Sequence, residues 1–236
     1  MPARATDRPG RADPLTALLW AASAAAWAAL AAGRDLHAVL PMVCGGIAGS
    51  VMPGIARIDQ AARLFGLPAI LAGFALMAVA MMAPVLAGPL RQLGRRWSPD
   101  SRVRPAALFA FAYLCGWTAA GALLAVAAIL IAAFASSALG AAAIALAVGG
   151  SWQISPARAA CLARCRRPPH LADGRFATVV APLRAGATLA GWCIAACWPL
   201  MLLPLCSGKA HGPVMIVAGL IIAFERRERC RPAARG

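Results

Sequence analysis

The stretch LRAGATLAGWCIAACWPLMLLPLC, from Leu183 to Cys206, decides the fold. A helix needs roughly 20 mostly apolar residues to cross the hydrocarbon core of a bilayer. This segment has that length and carries almost no charge, so the sequence predicts a transmembrane helix here. In its middle, Cys193 and Cys197 lie one helical turn apart, followed by Trp198 and Met201.

The whole chain has the composition of a membrane protein. Its 236 residues are 61% hydrophobic, with a mean hydropathy of +0.73 and a formal charge of +15. A soluble domain cannot bury that much apolar surface. Five other apolar segments predict helices, namely Leu15–Ala32, Leu64–Leu90, Pro105–Phe134, Ser137–Ile154 and Pro213–Phe224. We therefore expect an all-α, polytopic membrane bundle of about six transmembrane helices.

We expect residues 15–225 to form a single transmembrane domain, between a disordered cytoplasmic N-terminus (1–14) and a basic cytoplasmic tail (226–236). Six spans place this N-terminus, the two arginine-rich loops (91–104 and 158–175) and the tail on one side. The positive-inside rule identifies that side as the cytoplasm. The sequence therefore predicts a multi-pass protein of the bacterial inner membrane with both termini cytoplasmic. The arginines then act as topology signals, and we expect no nucleic-acid partner. Proline and glycine break the apolar residues 36–56, so we expect an interfacial or re-entrant segment there.

Sulfur-containing side chains recur on several predicted helices. Cys193 and Cys197, four residues apart, share one helical face. Cys161 and Cys165 repeat this spacing if Pro156 opens a short helix. We expect nearby Arg158, Arg164 and Arg166 to lower the pKa of these two thiols. Helix direction, at about 1.5 Å per residue, predicts Cys193 near the middle of the bilayer and Met81 and Met82 in its inner half. Soft sulfur ligands select Cu(I), zinc or iron–sulfur centres.

Ordinary helix packing explains the same cysteines. Membrane helices favour small residues four apart at their interfaces. Gly186 and Ala190 follow that pattern, and Cys193 and Cys197 extend it, so both interpretations stay open. We expect His211 to be solvated and Glu225 to form a surface ion pair with the adjacent Arg226.

Enzyme chemistry finds little support in the sequence. No histidine joins a serine and an acid in a plausible hydrolytic site, and no nucleotide-binding loop is present. The sequence contains no Cys-x-x-Cys pair, which is the spacing typical of a thiol–disulfide enzyme. We therefore expect no enzymatic activity.

Three spaced motifs and a weaker fourth occur in one order along the chain. Ala80 to Pro84 reads Ala-Met-Met-x-Pro, and Trp152 to Arg166 is close to Tyr-Gln-x-x-Pro-x-Lys-x-x-Cys-Leu-x-x-Cys-Arg. Cys193 to Met201 is close to Cys-x-Gly-Cys-Cys-Trp-x-Leu-Met, and 208–211 with Glu225 matches a last block, Gly-x-Met-Asn with a later Glu. These motifs resemble a domain-of-unknown-function family of predicted metal-binding bacterial integral membrane proteins, over about Phe74 to Arg226. The chain departs from that family at Ala196, where the family has a cysteine, and at Ala210-His211, which replace Met-Asn.

Some members of that family are described as copper chaperones. The resemblance implies an inner-membrane protein that handles a metal ion, Cu(I) rather than zinc, through Cys193, Cys197, Met81 and Met82. Cys161 and Cys165 would then serve as the cytoplasmic donor or acceptor position. The partners would be the lipid bilayer and a metal donor or acceptor protein. The alternative is a non-catalytic membrane assembly partner whose cysteines and methionines only pack. No pattern in the sequence indicates the oligomeric state.

Overall fold

A computed structural model describes residues 14–32, 54–94, 102–135, 137–167, 179–207 and 210–227, without the side chains of 54–70. These residues form α-helices, which confirms the all-α prediction. The helices are α1 (Pro14–Ala32), α2 (Gly54–Gly94), α3 (Val103–Phe134), α4 (Ala138–Gln153), α5 (Pro156–Cys165), α6 (Val180–Cys206) and α7 (His211–Arg227). The predicted interfacial segment comprises residues 36–56. Its residues 36–53 lie outside the described part of the chain, and residues 54–56 form the start of α2.

In the part of the chain that the structure describes, four helices are long and apolar enough to cross a membrane. They are Pro14–Ala32, Leu71–Leu93 within α2, Val103–Ala132 within α3 and Val180–Cys206. The other two predicted spans are shorter. α4 has 16 residues and α7 has 17, so each is about 25 Å long, against about 30 Å for the hydrocarbon core.

Helix α6 lies against α3 with unusually close backbone contact. A Cβ atom added at Gly186 would lie 2.2 Å from the carbonyl oxygen of Phe109, and one added at Gly116 would lie 2.9 Å from the Cβ of Ala190. Only glycine permits this approach. The prediction that Gly186 and Ala190 serve helix packing is therefore confirmed, and the order of the contacts shows that α3 and α6 run in the same direction.

Helices α4 and α7 run antiparallel to α6. The Nε1 atom of Trp152, at the end of α4, donates to the carbonyl oxygen of Ala195 at 3.1 Å. At the start of α7, Nδ1 of His211 lies 3.0 Å from the carbonyl oxygen of Pro204. His211 is therefore buried against the end of α6, and the expectation that it is solvated is wrong.

The short helix α5 begins where the sequence predicted. Pro156 occupies its first turn, and the hydroxyl of Ser155 caps it by accepting from the backbone N–H of Arg158 at 3.1 Å. Arg158, Leu162 and Cys165 form the buried side of this helix. Because α5 packs on α6, this side carries Cys165 towards the centre of the bundle.

Candidate metal centre

Cys193, in the middle of α6, is the centre of a buried sulfur cluster. Its Sγ atom accepts from the hydroxyl of Tyr113 on α3 at 3.1 Å and from Nη2 of Arg226 on α7 at 2.9 Å. Cys165 on α5 contacts the same nitrogen atom of Arg226, and Cys197 lies one turn along α6 on the same face as Cys193. Four helices thus converge on one sulfur atom that is completely buried.

Arg226 links the two sulfur atoms that come from different helices. The same Nη2 atom that contacts Cys193 also donates to Sγ of Cys165 at 2.7 Å. A guanidinium has no acceptor and stays charged, so both sulfur atoms accept from it. Burial opposes the charge of Arg226, but the neighbouring sulfur atoms outweigh burial and raise its pKa above the ordinary value. The cluster therefore contains a fixed positive charge.

The carboxylate next to Arg226 along the chain points elsewhere. Oε1 of Glu225 pairs with Nη2 of Arg158 at 2.5 Å, and the two side chains are only 24% and 11% exposed. The expected surface pair between Glu225 and Arg226 is therefore wrong. Adjacent residues on a helix do not face each other, so Glu225 reaches α5 while Arg226 reaches the cysteines.

The expected lowering of the Cys165 pKa is also wrong. Its pKa is raised, first by the hydrogen bond with Cys193 and then by burial, although Arg226 opposes the shift. The three arginines of α5 and its end bind other groups. Arg158 pairs with the carboxylate of Glu225, and Arg166 donates to the backbone oxygen of Glu225 at 2.7 Å. The guanidinium carbon of Arg164 lies 4.6 Å from the centroid of the Trp192 ring. Cys165 is thus a protonated thiol beside Cys193.

Charged groups surround Cys193, which lies at the middle of the candidate span Val180–Cys206; its depth in the bilayer stays a prediction. Helix α4 ends at Gln153, close to the level of Ala195, and α5 follows at once. Helix α7 ends at the same level, because Arg226 reaches Cys193. The ends of α4 and α7 are therefore staggered relative to the start of α6.

Three of the six predicted site residues meet in one cluster. Cys165, Cys193 and Cys197 come together, and Cys161 lies one turn before Cys165 in a partly buried position. Met82 is buried in the core on α2. Met81 lines an apolar cavity of about 980 Å³ between α1, α2 and α7, where Trp27 and Phe224 also line the wall. Met81 therefore faces α1 and α7.

The donor set of the described residues is small. Among them, no three cysteine, histidine, aspartate or glutamate side chains are arranged to hold one metal ion. Cys115 is exposed, and Ala196 is buried beside Cys197 without a sulfur atom. The arrangement therefore offers a thiol pair with a charged neighbour rather than a tetrahedral site.

Two residues of the cluster escaped the sequence analysis. Tyr113 is the only tyrosine of the chain, and its place inside a long apolar segment was a usable signal for a buried hydroxyl with a specific partner. Arg226 directly follows Glu225, a position of the family motif, but it was assigned to the basic tail.

Comparison with known proteins identifies the family. A family model described as copper chaperone, PpoB2, matches residues 71–234. The match covers more than half of the chain, which therefore belongs to the PpoB2 copper-chaperone family. It includes Tyr113, Cys165, Cys193, Cys197 and Arg226. No curated protein and no solved structure shows a significant match to the chain.

Proposed function

We propose that this member of the copper-chaperone family binds Cu(I) through the thiolates of Cys193 and Cys165, beside the thiol of Cys197, and passes the ion to an acceptor protein. The observation that carries the proposal is that one nitrogen atom, Nη2 of Arg226, lies 2.7 Å from Sγ of Cys165 and 2.9 Å from Sγ of Cys193, which places the two sulfur atoms side by side. Thiolates are soft ligands and select Cu(I) among the metals of a cell.

The donor set favours Cu(I) over zinc. Structural zinc sites are almost always four-coordinate, with nitrogen or sulfur ligands, and the described residues contain no group of three ligands. Cu(I) accepts two thiolates in a linear arrangement. A pair of cysteines on two helices is therefore sufficient for copper and insufficient for zinc.

We further propose that the chain crosses the bacterial inner membrane six times, with both termini in the cytoplasm. The four long apolar helices support this. The helix directions support it as well. Helices α3 and α6 begin at one end of the bundle, and helices α4 and α7 finish at that same end. That end carries Arg102, Arg104, Arg158, Arg164, Arg166 and Arg226, as the positive-inside rule requires of a cytoplasmic face. Local thinning and arginine side chains reaching the interface accommodate the shorter α4 and α7.

This location gives the cargo a route by ligand exchange. Cys165 belongs to α5, which lies outside the four candidate spans, whereas Cys193 and Cys197 belong to α6. Cys161, partly exposed one turn earlier, is the first sulfur that a cytoplasmic donor or acceptor meets. Copper moves between such sites by exchanging one thiolate for another, and this needs no enzymatic step.

Metal stoichiometry tests the proposal. The detergent-purified chain is loaded anaerobically with Cu(I) against a competing chelator, beside the variants Cys193→Ser, Cys165→Ser and Cys206→Ser. Cys206 is a matched control, because it is buried on the same helix at about 20 Å from Cys193 by helical rise. We expect one Cu(I) per chain in the wild type and the control, and loss of tight binding in the other two variants. Retained binding in Cys193→Ser contradicts the assignment.

The second candidate is an assembly partner without a metal. Gly186, Ala190, Cys193 and Cys197 form one stripe of small side chains on α6, and the first two pack on α3. If the wild type binds no Cu(I) and Cys193→Ser folds with unchanged stability, the cysteines act as small packing residues. A membrane partner that stays bound to a variant lacking all three clustered cysteines then supports this candidate.

A further inference from the structure

We infer that Arg226 selects the charge of the metal: it makes the thiol pair specific for a monovalent soft cation and excludes divalent ions. The inference rests on the proposed function, since it concerns the same site. Its basis is one nitrogen atom, Nη2 of Arg226, which lies 2.7 Å from Sγ of Cys165 and 2.9 Å from Sγ of Cys193.

Among the described residues of α7, the carboxylate next to Arg226 along the helix is engaged elsewhere. Glu225, the adjacent residue, pairs with Arg158 on α5. Arg226 therefore depends on the sulfur atoms for its counter-charge. Because an arginine keeps its charge in proteins, this positive charge belongs to the site whether or not a metal is bound.

The charges decide which ion the site accepts. Two metal-bound thiolates carry two negative charges, and Arg226 supplies one positive charge. A monovalent ion makes the sum zero, whereas a divalent ion leaves one uncompensated positive charge. Cys193 is completely buried and Cys165 nearly so, and an unpaired charge in such surroundings is costly. The same thiolates therefore hold Cu(I) well and Zn(II) poorly.

The position of Arg226 also allows the metal to enter. Arg226 is in the last turn of α7, which ends at Arg227, and its long side chain has several rotatable bonds. The guanidinium is thus able to leave the sulfur lone pairs to the metal while its charge stays beside them. Tyr113, on a different helix, keeps its hydrogen bond to Cys193 during this exchange.

The test compares the affinities for Cu(I) and Zn(II) in the detergent-purified full chain, measured with chromogenic chelators. The variants are Arg226→Gln, Arg226→Lys and, as the control, Arg164→Gln, since Arg164 stacks on Trp192. An opposite charge within about 4–6 Å changes the stability of an anion by about 10- to 1,000-fold. We therefore expect Arg226→Gln to lower the ratio of Cu(I) to Zn(II) affinity by at least about tenfold, while Arg226→Lys and Arg164→Gln keep it. An unchanged ratio in Arg226→Gln overturns the inference.

A measurement on the wild type keeps the inference testable if Arg226→Gln does not fold. Ag(I) and Cd(II) are soft and isoelectronic, and they differ in charge and in preferred coordination number, so equal binding of the two is the decisive outcome. Binding is followed by thiolate-to-metal charge-transfer absorption. At equal free concentrations of the two ions, we expect Ag(I) to bind to the protein and Cd(II) not to bind. Equal binding of both ions, in a protein that binds Cu(I) through Cys193, overturns the inference and leaves the proposed function intact. Absence of Cu(I) binding in the wild type overturns both.

Discussion

The indole of Trp152 donates a hydrogen bond to the carbonyl oxygen of Ala195 at 3.1 Å. Ala195 lies four residues before Pro199, and a proline has no N–H with which to complete the helical hydrogen bond to that carbonyl. Trp152, on α4, thus supplies the donor that α6 lacks. Its ring also packs against Trp198 with centroids 5.8 Å apart. The proline break is therefore stabilised beside the turn that carries Cys193 and Cys197.

This relationship predicts that the effects of two substitutions depend on each other. Trp152→Phe removes the donor, and we expect it to lower the free energy of unfolding by about 1 kcal/mol for the hydrogen bond, in addition to the lost ring contact. In a Pro199→Ala background the new N–H satisfies Ala195, so the same substitution costs less. Denaturant unfolding of the four proteins in detergent measures this coupling. Equal costs in both backgrounds contradict it.

The helices were largely predictable, because long apolar runs and capping residues are local signals. Pro156 correctly indicated the start of α5, and the predicted Pro105–Phe134 differs from α3 by two residues at its start. Helix α2 was predicted to start at Leu64 but begins at Gly54. Polar residues such as Arg57 and Asp59 end a hydropathy run there, but they do not end a helix.

The cysteine pair of the site was predictable, and its electrostatics were not. The spacing of Cys193 and Cys197 fixes their common face within one helix. Tyr113 and Arg226 reach Cys193 from 80 and 33 residues away along the chain. Only the packing of α3 and α7 on α6 decides these contacts, and a charged residue at the end of an apolar segment otherwise indicates topology.

Two glycines on α6 predict opposite responses to the same substitution. In Gly186→Ala the new Cβ would lie 2.2 Å from the backbone oxygen of Phe109, so α3 and α6 must separate. We expect a loss of at least about 1–3 kcal/mol in the free energy of unfolding. Gly191→Ala is the control, because no atom lies within 4 Å of its added Cβ. There we expect no loss, or a gain of up to about 1 kcal/mol from helix propensity. Equal melting temperatures for the two variants contradict the close approach.

Breaking the ion pair of Glu225 is predicted to affect stability and not copper. Glu225→Gln leaves Arg158 without its carboxylate in a mostly buried place. The expected loss in the free energy of unfolding is about 1–3 kcal/mol, between the values for exposed and buried pairs. Cu(I) affinity stays unchanged, because Arg226 contacts sulfur atoms instead. Thermal unfolding and chelator competition on the same preparation measure both. If Glu225→Gln keeps the stability of the wild type but loses much of its Cu(I) affinity, this division of roles is contradicted.

The raised pKa of Cys165 predicts how stability depends on pH in the metal-free protein. The fold favours the protonated thiol, through the hydrogen bond with Cys193 and through burial. This contribution is fully present below the ordinary thiol pKa of 9.0 and is lost as the pH rises above it. Melting temperatures at about pH 7 and about pH 10, for the wild type and Cys165→Ala, isolate the effect. We expect the advantage of the wild type to shrink at the higher pH, and a growing advantage contradicts the assignment.

The hydroxyl of Tyr113 is predicted to tune the affinity of Cys193 for copper. It donates to Sγ of Cys193 at 3.1 Å, and hydrogen bonds to charged groups contribute about 1.5–3 kcal/mol. Tyr113→Phe removes this donor and keeps the ring, so we expect Cu(I) affinity to fall by roughly tenfold or more. Thr118→Val is the control, because the Thr118 hydroxyl donates within α3, to the carbonyl oxygen of Leu114. If both variants lose affinity equally, the effect comes from packing of α3. If only Tyr113→Phe does, the phenol acts on the sulfur itself.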